Sequence, residues 1–226
     1  MVYLPTSPTL WQRFKYFWWL KAIVTTGIIF IFFQLYFFTL HHNAFGVYNV
    51  PMTFLDQKIP FTPSLLWVYA SLWIYTSLPA SLLFFKDELV RYAAGMGCIA
   101  VIGLCCFYLI PTAVVFDLPQ GAYSAEIAFL KKMDTSGNSC PSLHVATALF
   151  AGVWFEGILQ RLSAPKMVYG LTRLWCFAIV YSTLAIKQHV LIDVIAGALL
   201  AVVFIKLMKL PAEGYLTDQN CLTRRQ

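Results

Sequence analysis

A histidine stands four residues ahead of an aspartate in the run His189-Val190-Leu191-Ile192-Asp193. Residues at this spacing share one helix face. The carboxylate can accept a hydrogen bond from one imidazole nitrogen. That fixes the tautomer and leaves the other nitrogen free to attack an electrophile. The plainer reading is a buried pair that satisfies its own polarity. A second stretch, Cys140-Pro141-Ser142-Leu143-His144, opens an apolar run. Proline suits the first position of a helix, with Ser139 or Cys140 as its cap and Ser142 in the first turn. Free N–H groups and the helix dipole attract an anion there. The Ser142 hydroxyl can add a donor, and His144 is placed to give a proton to a leaving oxygen. The plainer reading is a helix cap with an incidental histidine. Lys187, just ahead of His189, can balance phosphate charge, or it can be a snorkelling interfacial lysine.

The elements that position these residues are membrane spans. The chain is 60% hydrophobic and 12% charged, whereas soluble domains carry about 25% charged residues. A spanning helix needs about 20 mostly apolar residues. Six stretches qualify, roughly Trp18 to Leu40, Ser64 to Phe85, Ala93 to Phe116, Ser142 to Gln160, Met167 to Ile186 and Val190 to Met208. We therefore expect an all-α, polytopic six-transmembrane-helix bundle in one membrane domain, residues 1–226. The polar tail 211–226 should be a short cytoplasmic end. The last two spans are separated only by Lys187, Gln188 and His189, which makes them a tight hairpin. Trp11, Phe14, Tyr16, Phe17, Trp18 and Trp19 form an interfacial aromatic belt at a retained first span.

Basic residues set the orientation. Arg13, Lys15, Lys86, Arg91, Arg161 and Lys166 fall on one side, and Lys58, Lys131, Lys132 and Lys187 on the other. The positive-inside rule then puts both termini in the cytoplasm. His144, Lys187 and His189 lie at the non-cytoplasmic face, with two long loops, about His41 to Pro63 and Asp117 to Pro141. The formal charge of +6 marks cytoplasmic loops and anionic headgroups, and we expect no nucleic-acid partner. The cysteines have no CxxC or metal-finger spacing, so no structural zinc is expected. Asn138-Ser139-Cys140 is not a glycosylation acceptor, in keeping with a bacterial inner membrane and a site facing the periplasm.

These residues resemble the type 2 phosphatidic acid phosphatase superfamily of membrane lipid phosphatases and phosphotransferases. That family carries a P-S-G-H motif and a later S-R-x5-H-x3-D motif. Pro141-Ser142-Leu143-His144 matches the first with Leu for Gly. Ser182-Thr183, His189 and Asp193 match the second with Thr for Arg. The Leu variant, Lys187-Gln188-His189 and the segment Asp56 to Tyr75 look like the inositol phosphorylceramide synthase branch. The resemblance covers about residues 56–208. It implies that His189 is a nucleophile forming a phosphohistidine, that Asp193 orients it, that His144 protonates the leaving group and that Ser142 helps hold the phosphate. No metal or cofactor is implied, and the partners are a lipid phosphate substrate and membrane lipids. The family's K-x6-R-P motif is missing. Lys86 to Arg91 imitates it on the wrong face. Its place should be near Tyr108, Pro111 and Thr112, and Lys187 is the candidate replacement.

A membrane lipid phosphatase is the leading expectation, with transfer to an alcohol as the alternative. A facial metal triad of His144, His189 and Asp193 and a non-catalytic binding or transport protein are the competing classes. Polar residues gathered at one face speak against a transport pathway, whose sites sit near mid-membrane. The topology is directly testable. Lys131→Cys should react with an impermeant thiol reagent in intact cells and Arg161→Cys should not; the opposite pattern overturns the orientation.

Overall fold

The structure is a computed structural model that describes residues 10–42, 44–116 and 138–208. The tail 211–226, Lys131, Lys132 and most of the second long loop lie outside the described residues. The fold is all-α, with helices α1 (Leu10–Lys15), α2 (Trp18–His41), α3 (Phe54–Lys58), α4 (Leu66–Ala70), α5 (Leu72–Leu82), α6 (Lys86–Leu109), α7 (Leu143–Arg161), α8 (Lys166–Ala185) and α9 (Leu191–Leu207). Two short strands, β1 (Tyr48–Asn49) and β2 (Thr112–Ala113), pair in parallel and fasten the segment after α2 to the end of α6.

Among the described residues, five helical stretches are long and apolar enough to cross a membrane, and the chain is a multi-pass membrane protein. The last expected span forms α9, whose 17 residues sit at the short end of the range of about 17–25 for a spanning helix. The second expected span is not one smooth helix. A 3-10 turn (Pro63–Leu65), α4 and α5 follow one another with a break at Ser71. The Ser71 hydroxyl donates to the Val68 carbonyl and accepts from the Trp175 indole, while its backbone N–H and carbonyl stay bonded to Trp67 and Tyr75, so its polar groups are satisfied inside the protein, as hydrocarbon requires.

Helix α7 is the central strut. Val145, Ala146, Ala148, Phe150 and Ala151 are fully buried, and α5, α6, α8 and α9 all pack on it. Its opening residues are clasped by two glycines. A Cβ on Gly197 of α9 would collide with the Ser142 backbone oxygen, and one on Gly103 of α6 with the Leu143 side chain. Small residues of this kind let membrane helices approach closely. The close approach also lets the Ser142 N–H donate to the Asp193 carbonyl at 3.0 Å. At the far end Arg161 pairs with the fully buried Glu88, and the Lys21 ammonium donates to the carbonyls of Arg13, Ser81 and Leu83. Lys86 and Arg91 open α6 at that same end, away from the histidines.

By contrast, α2 is lightly held. Only 6% of its most apolar stretch is buried within the protein, and its contacts run along α5 and α6.

The glycine clasp makes a prediction. Gly197→Ala should destabilise the protein by about 1–3 kcal/mol, the usual cost of overpacking. Gly157→Ala, in open space on α7, should be neutral or stabilising by up to about 1 kcal/mol from helix propensity. Unfolding in detergent, monitored by circular dichroism, compares the two; equal stabilities would refute the clasp.

Candidate active site

His144 and His189 come together at one end of the bundle, with ring centroids 6.2 Å apart. Each sits at the start of a descending helix. The helix begins two positions later than expected. Ser142, not Ser139 or Cys140, is the N-cap of α7, and its hydroxyl accepts from the Val145 N–H. Pro141 therefore precedes the helix and His144 is its second residue. The reason is competition for the Ser142 backbone. Its N–H is already given to Asp193, so the side chain turns to the helix end, where serine is a preferred cap. Ser142 is fully buried. The Leu143 and His144 N–H groups precede the first intrahelical bond, as at any helix start.

His189 lies in the turn before α9 rather than on the helix itself. That turn is drawn tight by the Gln188 and His189 N–H groups, which both donate to the Thr183 carbonyl, and by Lys187 in the left-handed region at φ 59°. Asp193 in the first turn of α9 accepts from the Val190 N–H through Oδ2 at 3.1 Å. The same oxygen lies 3.5 Å from His189 Nδ1, beyond the usual hydrogen-bond range of about 2.7–3.2 Å. Asp193 Oδ1 and His189 Nδ1 are buried without a hydrogen-bond partner among the described residues. Catalytic hydrogen bonds are often long before substrate arrives. Burial, with help from the nearby Asp193 carboxylate, pushes the Cys140 thiol up to about 12. A thiol so raised stays protonated and is a poor nucleophile.

Lys187 is brought near this end but is otherwise engaged. Its ammonium donates to the Asp56 and Ile59 carbonyls, each at 2.7 Å, and lies over the Phe116 ring. Burial lowers its pKa, with Asp56 opposing the shift. None of these contacts is with His144, His189 or Ser142.

Three further residues escaped the sequence reading. Tyr69 stacks on His144 at 3.9 Å, its hydroxyl 3.2 Å from His144 Nδ1. Nothing in the sequence pairs residues 75 positions apart. Asp56 is buried and accepts from Thr53 and, at 2.8 Å, from the Leu191 N–H at the head of α9. The spacing Thr53-x-x-Asp56 is a capping-box signal and was available. Asn138 is buried beside α2.

A cavity of about 490 Å³ runs between α2 and α5–α6. His144, His189, Asn138 and Tyr69 stand at one end, Leu20 and Lys21 at the other, with Phe32, Trp73 and Phe107 among the apolar walls. Among the described residues, no three of His, Cys, Asp and Glu converge as a metal site.

An all-α membrane bundle with two histidines at the head of an apolar cavity, and a buried carboxylate behind one of them, has the makings of a membrane phosphoesterase. The chain belongs to the PAP2 superfamily, whose family model matches residues 37–207 and so includes both histidine motifs. No curated protein and no solved structure matches the chain. Members of this superfamily are phosphoric ester hydrolases or phosphotransferases, and the protein is a phosphoesterase of that general type.

Asp56 gives the second structural test. Asp56→Ala strips the acceptor from the Leu191 and Thr53 N–H groups and should destabilise the protein by about 1–3 kcal/mol. Because α9 carries Asp193, phosphate-ester turnover should fall with it. Asp56→Asn, which keeps an acceptor oxygen, should recover part of both. Unchanged stability and turnover in Asp56→Ala would remove Asp56 from the scaffold of the site.

Proposed function

We propose that this protein is a membrane lipid phosphatase working through a phosphohistidine, with its site on the outer membrane surface. The observation that carries the reading is the pair His144 and His189, 6.2 Å apart, at the head of a long apolar cavity. A lipid phosphate fits this shape: chain in the cavity, phosphate between the rings. His189 Nδ1–H faces Asp193 and leaves Nε2 to attack phosphorus. The P–O bond to the lipid breaks, and His144 gives the departing alkoxide its proton. Water then attacks the phosphorus, giving up a proton to His144; the P–N bond to His189 breaks and inorganic phosphate leaves. The first-turn N–H groups of α7 and the Ser142 hydroxyl are the candidate phosphate donors. Lys187 acts through the helix heads it braces, or swings its ammonium to the phosphate once substrate displaces it from the two carbonyls. The Leu at position 143 and the Lys187-Gln188-His189 turn support a place in the inositol phosphorylceramide synthase-like branch. An alcohol in place of water would make the same intermediate a transferase.

Labelling from a radiolabelled phospholipid tests the mechanism. Acid-labile, base-stable protein labelling should appear in the wild type and vanish in His189→Ala. His144→Ala should slow turnover of alkyl esters by about 10²- to 10⁴-fold and much less for an aryl phosphate, whose leaving oxygen barely needs a proton. Wild-type labelling in His189→Ala would eliminate the mechanism. Phosphate release with and without alcohol acceptors separates hydrolysis from transfer.

A further inference from the structure

Asn138 is 4% exposed and borders the cavity at the same end as His144 and His189. Its side-chain nitrogen donates to the Tyr36 carbonyl and the Thr39 hydroxyl, each at 3.1 Å. A backbone carbonyl only accepts, so the nitrogen must face α2 and the amide cannot be turned over. The opposite end, Oδ1, is thereby fixed as an acceptor. It is buried and has no hydrogen-bond partner among the described residues. Native proteins rarely leave such a group unmatched, and the exceptions ask for an explanation. The polar groups that share this end of the cavity do not reach it: the Tyr69 hydroxyl is turned to His144 Nδ1. The backbone there is also committed, since Asn138 occupies the left-handed region at φ 58° and the next N–H, of Ser139, donates to the Thr112 carbonyl.

The geometry points to Asn138 Oδ1 as the acceptor for a hydroxyl or amide N–H donor of the ligand beside its phosphate. The inference rests on the lipid phosphatase reading and narrows its substrate class: lipids with a donor next to the phosphate ester over those fully esterified or reduced there. The same chemistry can come from the second substrate, water or an alcohol, held for attack on the phosphoenzyme. The length of the cavity along α2 favours the lipid as source, because a chain lying there brings the adjoining backbone of the lipid past Asn138.

The test uses a matched pair, a 1-acylglycerol 3-phosphate and its 2-deoxy counterpart, read in turnover and, as their phosphonates, in binding to the full-length protein in detergent. The wild type should favour the hydroxylated lipid by about tenfold in kcat/KM, the worth of one hydrogen bond with a buried partner. Asn138→Leu should erase that preference. If the wild type shows no preference but Asn138→Leu discharges labelled phosphoenzyme about tenfold more slowly, the donor belongs to the second substrate. Thr39→Val, which loosens the anchor but spares Oδ1, should keep the wild-type behaviour. Should Asn138→Leu fail to fold, Asn138→Ala carries the same comparison. Wild-type selectivity and discharge in the Asn138 variant, or equal loss in Thr39→Val, overturns the assignment. Selective phosphonate binding without turnover of either lipid upholds Asn138 and sinks the phosphatase reading instead.

Discussion

The bond from the Ser142 N–H to the Asp193 carbonyl is the constraint on which the site depends. It joins the heads of α7 and α9, the two helices whose first turns hold His144 and Asp193. It exists only because Gly197 lets one backbone lie against the other. Once that contact is made, much else is determined. Ser142 must cap with its side chain, His144 must stand near the top of α7, and His189 must hang from the turn above α9. Hydrocarbon around the bundle sharpens the constraint, since a helix head left unpaired there has no water to turn to.

A second layer of polar contacts holds this arrangement from the side. Asp56 and Lys187 form a crossed pair of anchors between α3 and the α8–α9 turn: the Asp56 carboxylate takes the Leu191 N–H, and the Lys187 ammonium takes the Asp56 and Ile59 carbonyls. The Thr62 N–H adds a bond to the Ala185 carbonyl. The segment from Thr53 to Pro63 is thus a brace rather than a passive connector, and it leads directly into α4 and Tyr69. The tyrosine that stacks on His144 is held by the same brace that caps the helix behind His189.

Much of this was legible in the sequence, and the reasons differ residue by residue. His144, His189 and Asp193 stand out because titratable groups are costly beside apolar spans, and their spacing along the chain places them at helix heads. The all-α membrane architecture follows from hydropathy alone. The break at Ser71 is hidden because α4 and α5 are equally apolar on both sides of it. Ser142 is expected two positions further into the helix than it stands, since proline usually marks the first helical residue and the competing bond to Asp193 is tertiary. The contacts of Tyr69 and Asn138 join residues far apart in the chain, and periodicity carries no record of them. The direction of the Lys187 ammonium is likewise set by carbonyls more than a hundred positions away.

Helix α2 closes one long wall of the cavity while burying little of itself against its neighbours. A molecule lodged between α2 and the remaining helices touches both, and so supplies packing that the polypeptide lacks. Occupancy and cohesion are then linked quantities, since whatever binds only the assembled form stabilises it. A lipid lodged there would be a structural component of the bundle as well as a solvent. Removing it with detergent would take away part of what holds α2 against α5 and α6.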